Sequence, residues 1–267
     1  MRLSASISPL LPILKDFLPA LIVLEEKAAE LYHLSLMGER VSQHRSKETV
    51  FGVEKGGRPK QKLHDHLLKQ GFHRVSQKMR ADQIAYPCYS REDLGIIYFI
   101  CPRIRFDQKV LTRGLAAFPD KRLSLLMENP HFVDVPYLGV HYEVLLPQVG
   151  RFILDKGLQL STGRFLNPIK VYESAQSLLI ILDLLVTHNE LQEEALNDFL
   201  EIRPPGLVKE FMRLLKENGP GSVIWESAQK LYLEKYSESK IVTLTKWYWE
   251  FVPYFARFLE KQKDFES

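Results

Sequence analysis

The sequence predicts an α+β protein, with a mixed β-sheet and flanking helices over residues 1–146 and a helical bundle over residues 147–267. Two apolar runs and one change of character lead to this reading. Leu94-Gly-Ile-Ile-Tyr-Phe-Ile-Cys101 is a buried-strand pattern that stops at Pro102. Val140-His-Tyr-Glu-Val-Leu-Leu146 is a second one, stopping at Pro147. Beyond Pro147 almost every segment places its apolar residues at helical spacing.

The elements follow in order. Met1 to Leu21 is apolar but interrupted by Pro9, Pro12, Lys15, Asp16 and Pro19, with no small-residue cleavage site after it. It reads as a short helix or arm, not a signal peptide. Leu21, Leu24, Ala28, Leu31 and Tyr32 set a helical period over Leu18–Leu36, ending near Gly38. Thr49-Val-Phe-Gly-Val53 is β-branched and aromatic, hence a short strand. Lys55-Gly-Gly-Arg-Pro59 is a turn, with Pro59 suited to a helix start; Lys60–Gln70 is the helix, closed by Gly71. Phe72-His-Arg-Val75 opens another strand, and residues 103–135 read as connecting structure with one helix, Lys121–Glu128. After Pro147 come helices Gln148–Leu160, Pro168–His188, Asn189–Glu201, Leu207–Asn218, Ser222–Lys235 and Lys240–Lys261. Pro204-Pro205-Gly206 and Gly219-Pro220-Gly221 break the last ones apart.

Composition is that of an ordinary globular chain: 45% hydrophobic, 26% charged and 11% aromatic. Its longest largely apolar stretch, Leu178 to Val186, falls short of the roughly 20 residues that span a bilayer. No membrane partner is therefore expected. Cys88 and Cys101 are too few for a disulfide framework or metal cluster and fit a reducing, cytoplasmic setting. The net charge is only +3, yet eleven Lys/Arg against three acids between Arg40 and Arg80 give a local +8. Such a block attracts phosphate, whether of nucleotide or nucleic acid, or is simply a solvated face.

The strand-Pro-helix order at Val140 to Lys156 resembles the nucleotidyltransferase superfamily, and in particular its bacterial, minimal or toxin-type members. Leu21-Ile-Val-Leu-Glu-Glu-Lys-Ala-Ala-Glu-Leu-Tyr32 is similar to the segment that carries the family's glycine pair. Arg45-Ser-Lys-Glu-Thr-Val-Phe51 is similar to its Arg-x-Thr-x-Asp-x-Asp string. Pro147 to Lys156, continued by Arg164 and Lys170, is similar to its lysine helix. The resemblance spans roughly residues 18–200 and implies transfer of a nucleotidyl group from an NTP to an acceptor. Lys156, Arg164, Lys170, Arg45 and Lys47 would then meet the phosphates, with Mg²⁺ as cofactor if the protein is active.

The departures are specific. Glu25 and Glu26 stand in the place of the glycines, and Thr49 and Phe51 in that of the aspartates. The third acid gives way to an apolar or aromatic residue near Tyr98. Two-metal transfer needs Mg²⁺ ions about 3.5–4 Å apart, clamping the attacking and leaving oxygens. Mg²⁺ takes hard oxygen ligands, so Thr, Phe and Tyr do not replace carboxylates. Glu48 and Glu54 are the nearest substitutes, but six residues apart is not the i, i+2 spacing of one strand face. No metal ligand is therefore assigned. The alternative expectation is a catalytically silent relative that binds a nucleotide, RNA or protein partner, without cofactor.

Other constellations carry less. His64-Asp-His66 puts its imidazoles on different helix faces, a poor shared metal site, and reads as surface histidines; His131, His141 and His188 are isolated. Lys55-Gly-Gly-Arg-Pro-Lys60 either holds a phosphate with its backbone N–H groups or is a plain turn into a helix. Trp247, Tyr248, Trp249, Phe251, Tyr254, Phe255 and Phe258 make the last helix aromatic, as core or as a docking surface for a protein partner.

Overall fold

A computed structural model describes residues 7–38, 48–53, 59–78, 85–102, 115, 117–120, 123–161 and 187–202, together with positions 174, 177, 178, 180, 181 and 183–185, which are helical. The chain divides into two units, Met1–Pro147 and Gln148–Ser267.

In the first unit the described residues form a mixed sheet of eight strands with helices. The strands are β1 (Leu21–Leu24), β2 (Glu48–Val53), β3 (His73–Lys78), β4 (Ala85–Arg91), β5 (Gly95–Pro102), β6 (Ala117–Asp120), β7 (His131–Tyr137) and β8 (Val140–Leu146). Their order is β3-β4-β5-β2-β1-β8-β7, with β6 paired to β5. β2 runs antiparallel to β1 and parallel to β5, and β1 runs parallel to β8. The helices are α1 (Leu11–Leu14), α2 (Glu25–Met37), α3 (Pro59–Lys69) and α4 (Leu123–Leu126).

Three expectations are corrected. The helix expected over Leu18–Leu36 starts only at Glu25, because Leu21-Ile-Val-Leu24 is a central strand. Four consecutive apolar residues suit a strand buried on both faces, and all four are buried. Residues 103–135 hold strands β6 and β7 as well as a helix, which is shorter than Lys121–Glu128. β7 alternates exposed and less exposed residues, so its signal is a half-buried edge pattern and not an apolar run. Its pairing with β8 closes through Leu138-Gly139 at positive φ. β4 has only seven residues with Pro87 among them, and the sequence signal for it is weak.

The register assigns the two sheet faces. Ile22, Leu24, Val50, Tyr98, Ile100 and Cys88 share one face, where they pack with Leu123 and Leu126 of α4 into a core cluster. Val23, Phe51 and Phe99 share the other face, as do Tyr89 and Ile97. On that second face α3 reaches β4, since His64 Nδ1 lies 2.7 Å from the Tyr89 hydroxyl. His66 Nε2 lies 2.7 Å from the Ile13 carbonyl and its ring packs on Phe17. The two histidines do point to different elements, but they are half-buried pins of α3 and not surface residues.

In the second unit the described elements are helical: α5 (Val149–Ser161), the described positions between 174 and 187, and α6 (Asn189–Glu201). The expected helices Leu207–Asn218, Ser222–Lys235 and Lys240–Lys261, with Trp247 to Phe258, lie outside the described residues.

Candidate functional site

β1 ends at Leu24 and α2 begins at Glu25, whose φ is +57°, in the left-handed region. A side chain is strained there by about 1 kcal/mol or more, and glycine is the residue that adopts it freely. Glu25 thus occupies a glycine-type conformation at the position where the resemblance expects a glycine. Glu25 and Glu26 also stand in the first turn of α2, where negative charge is favoured by the helix dipole. Replacement Glu25→Gly is expected to raise the stability of this unit by up to about 1 kcal/mol, read from the urea midpoint. A lower midpoint would mean that the Glu25 side chain contributes more than its backbone strain costs.

The two positions of β2 are Thr49 and Phe51, both buried. They pair with Ile97 and Phe99 of β5. The Phe51 and Phe99 rings stack at 5.7 Å and 21°, and Tyr89 meets Phe99 edge-on at 5.7 Å. This face carries the hydroxyls of Thr49 and Tyr89 and the His64 imidazole, but its strand positions bring no carboxylate beside Thr49 and Phe51, so its residues do not fit the two-metal centre of the resemblance. Glu48 opens β2 half-buried opposite Ile96, on the face that carries Val50, away from Thr49 and Phe51. Among the described residues no group of three or more His, Cys, Asp or Glu is placed to hold a metal ion. Glu54, Arg45 and Lys47 lie outside the described residues, as do Arg164 and Lys170.

A second polar centre of this unit was not legible from the sequence. α2 is buried along Glu26–Leu34, and it carries Glu26, Lys27, Glu30 and His33 inside with its apolar residues. Lys27 Nζ lies 3.2 Å from Glu30 Oε2, one turn on. Tyr32 donates its hydroxyl proton to the Pro147 carbonyl, and its oxygen lies 3.1 Å from His131 Nε2. With the phenol proton committed, His131 supplies the other from Nε2. Burial pushes the His131 pKa down, which agrees with a neutral ring. His131 is therefore a partner of α2, not an isolated histidine. These contacts tie α2 to the end of β8 and the start of β7.

The second unit holds its own buried polar set on α5. Residues 151–156 are all buried, the polar Arg151, Asp155 and Lys156 among them. Lys156 is fully buried, with Nζ 5.4 Å from the Phe152 ring centroid. Arg151 Nε donates to Gln148 Oε1 at 2.9 Å. Gln159 donates to Asp155 Oδ2 at 2.5 Å and accepts from Ser174 Oγ at 3.1 Å. Asp198 of α6 accepts the Gly150 N–H at 2.8 Å, so a neighbouring helix supplies the cap for the first turn of α5. The approach requires glycine: a Cβ at Gly150 would stand 2.5 Å from Asp198 Cβ and 2.7 Å from the Ala195 carbonyl oxygen. Burial raises the Asp198 pKa from its usual value to about 7; Glu194 and Glu201 push the same way, while the Gly150 N–H and Arg151 oppose it.

With this geometry in view, comparison with protein-family models, curated proteins and solved structures gave no match. Function therefore rests on the residues themselves. Among the described residues, no helix is long and apolar enough to cross a membrane.

Proposed function

We propose that this chain is a nucleotidyltransferase-like module that binds a nucleotide but is catalytically silent, with a helical C-terminal domain. The observation that carries this reading is the Phe51–Phe99 stack on the strands that resemble the acid-bearing ones. Aromatic packing there gives the sheet a core in place of a reaction centre. Two further features support it. The order α2, β2, α3 follows the helix-strand-helix order that the resemblance implies. Glu25 keeps a left-handed backbone at the strand-to-helix junction, as a lost glycine would leave behind.

In this reading Arg45 and Lys47 of the first unit, and separately Arg164 and Lys170 of the second, are the cations offered to a phosphate. Lys156 is fully buried, which sets it apart from these cations. Mg²⁺ is not required, and the cytoplasm is the setting. The aromatic segment Trp247 to Phe258 is the place for a protein partner.

Isothermal titration of the full chain with ATP, CTP, GTP and UTP, each with and without Mg²⁺, tests the proposal. At least one nucleotide should bind with an affinity that Mg²⁺ changes by no more than about twofold, a factor worth only about 0.4 kcal/mol. Binding that appears only with Mg²⁺ would favour an active transferase. Heats absent for all four would remove nucleotide from the proposal and leave the protein partner.

A further inference from the structure

We infer that the corner formed by α3 and β3 binds a single strand of nucleic acid through its phosphates. This rests on the reading of the chain as a binding module and names a second partner for it. Within the basic stretch Arg40 to Arg80, the described elements are β2, α3 and β3, and the described exposed cations Lys62, Lys69 and Arg74 stand on the last two. Lys62 and Lys69 are exposed on α3, two turns apart, which spaces them by roughly 10 Å along one side of the helix. The opposite side of α3, marked by Leu63 and Leu67, is buried.

Arg74 of β3 is exposed and pairs across the strands with Tyr89. It therefore belongs to the sheet face on which His64 of α3 meets the Tyr89 hydroxyl. Helix and strand thus present their cations on the same side of the sheet, and β3 is the last strand of the described sheet at that end. The acid exposed on α3, Asp65, accepts a hydrogen bond from Gln61 Nε2 at 3.0 Å.

The corner is also rigid. Gly71, at φ +81°, turns the chain from α3 into β3. Arg91 holds that turn: its Nη1 donates to the Gln70 carbonyl at 2.8 Å, and its guanidinium lies 5.4 Å over the Phe72 ring. Asp93 fixes the same guanidinium by two hydrogen bonds of 2.7 Å. Lys62 and Lys69, about 10 Å apart along α3, and Arg74 on the same side of the sheet offer three cations that complement the phosphates of a short single strand.

The test is fluorescence anisotropy of the full chain with a labelled oligouridylate of about 12 nucleotides, at 50 and 200 mM salt. Three phosphate contacts on a single strand predict an affinity loss of at least about tenfold across that range. The variant K62A/K69A/R74A should bind at least about tenfold more weakly at 50 mM and show a salt slope shallower by about 2. The variant L138E/V140E adds negative charge on the exposed β7–β8 hairpin and should bind within about twofold of the unaltered chain. The inference is overturned if the triple variant binds as the unaltered chain does, if a duplex of equal length binds as tightly, or if anionic lipid vesicles are preferred. Absent RNA binding with nucleotide heats retained would overturn this surface alone; loss of both would overturn the binding-module reading as well.

Discussion

Replacing Phe51 with alanine is expected to destabilise the first unit by about 3–5 kcal/mol, the range for removing a buried phenylalanine. Phe51 is fully buried, and its ring stacks on Phe99, which in turn meets Tyr89. Truncation removes apolar burial from three strands at once and leaves a cavity between β2 and β5. Phe51→Leu should cost clearly less, because it keeps most of the volume. Phe51→Asp is the sharper variant. It restores an acid where the resembling family has one, but places a carboxylate among Val23, Ile97 and Phe99, where ionisation is strongly disfavoured. That variant should be less stable than Phe51→Ala, and Mg²⁺ at millimolar concentration should not rescue it. Urea denaturation with and without Mg²⁺ reads both outcomes. A Phe51→Asp chain stabilised by Mg²⁺ would show that the neighbouring positions still form a cation site.

The second large effect lies between α5 and α6. Asp198 has its pKa raised from 3.8 to about 7, chiefly by burial. Below pH 4 the carboxyl is neutral in both folded and unfolded chains and costs nothing. Between about pH 4 and 7 the unfolded chain loses the proton and the folded one retains it, so stability falls as pH rises. Above pH 7 the loss is complete, on the order of 2–4 kcal/mol. Burial raises the Glu194 pKa too and adds a smaller decline of the same sign. Asp198→Asn keeps an oxygen for the Gly150 N–H and cannot ionise. The variant should match the unaltered chain near pH 3 and exceed it at pH 8 in denaturant midpoint. Equal deficits at both pH values would show that the ionised carboxylate strengthens the helix cap more than its burial costs.

The sheet was legible where apolar runs were continuous and bounded by proline. Leu94 to Cys101 and Val140 to Leu146 became β5 and β8, and Thr49 to Val53 became β2 with one residue added at its start. Helix α3 was readable from Pro59 and Gly71 because both residues restrict or free φ at helix ends. β1 was not. Leu21 to Leu24 continues without a break into the helical period of α2, and only pairing with β2 and β8 decides that the first four residues are extended. β7 was missed because an edge strand with one solvated face has few apolar residues to count. For the site, the absence of acids at Thr49 and Phe51 could be seen in the sequence. Their enclosure by Ile97, Phe99 and Tyr89 could not, because those contacts join strands far apart in the chain. Long-range polar partners were equally hidden: Tyr32 with His131, and Gly150 with Asp198. His131 and Asp198 look like any surface residue until a distant element is placed against them.

The central claim is that these strands pack as core where a transferase holds two cations. Titration of Mn²⁺ against the full chain, with a saturating non-hydrolysable NTP and free Mn²⁺ read by electron paramagnetic resonance, tests it most directly. The account predicts that Mn²⁺ is retained only to the extent that the nucleotide alone retains it. Two further tightly held Mn²⁺ ions per chain would contradict it.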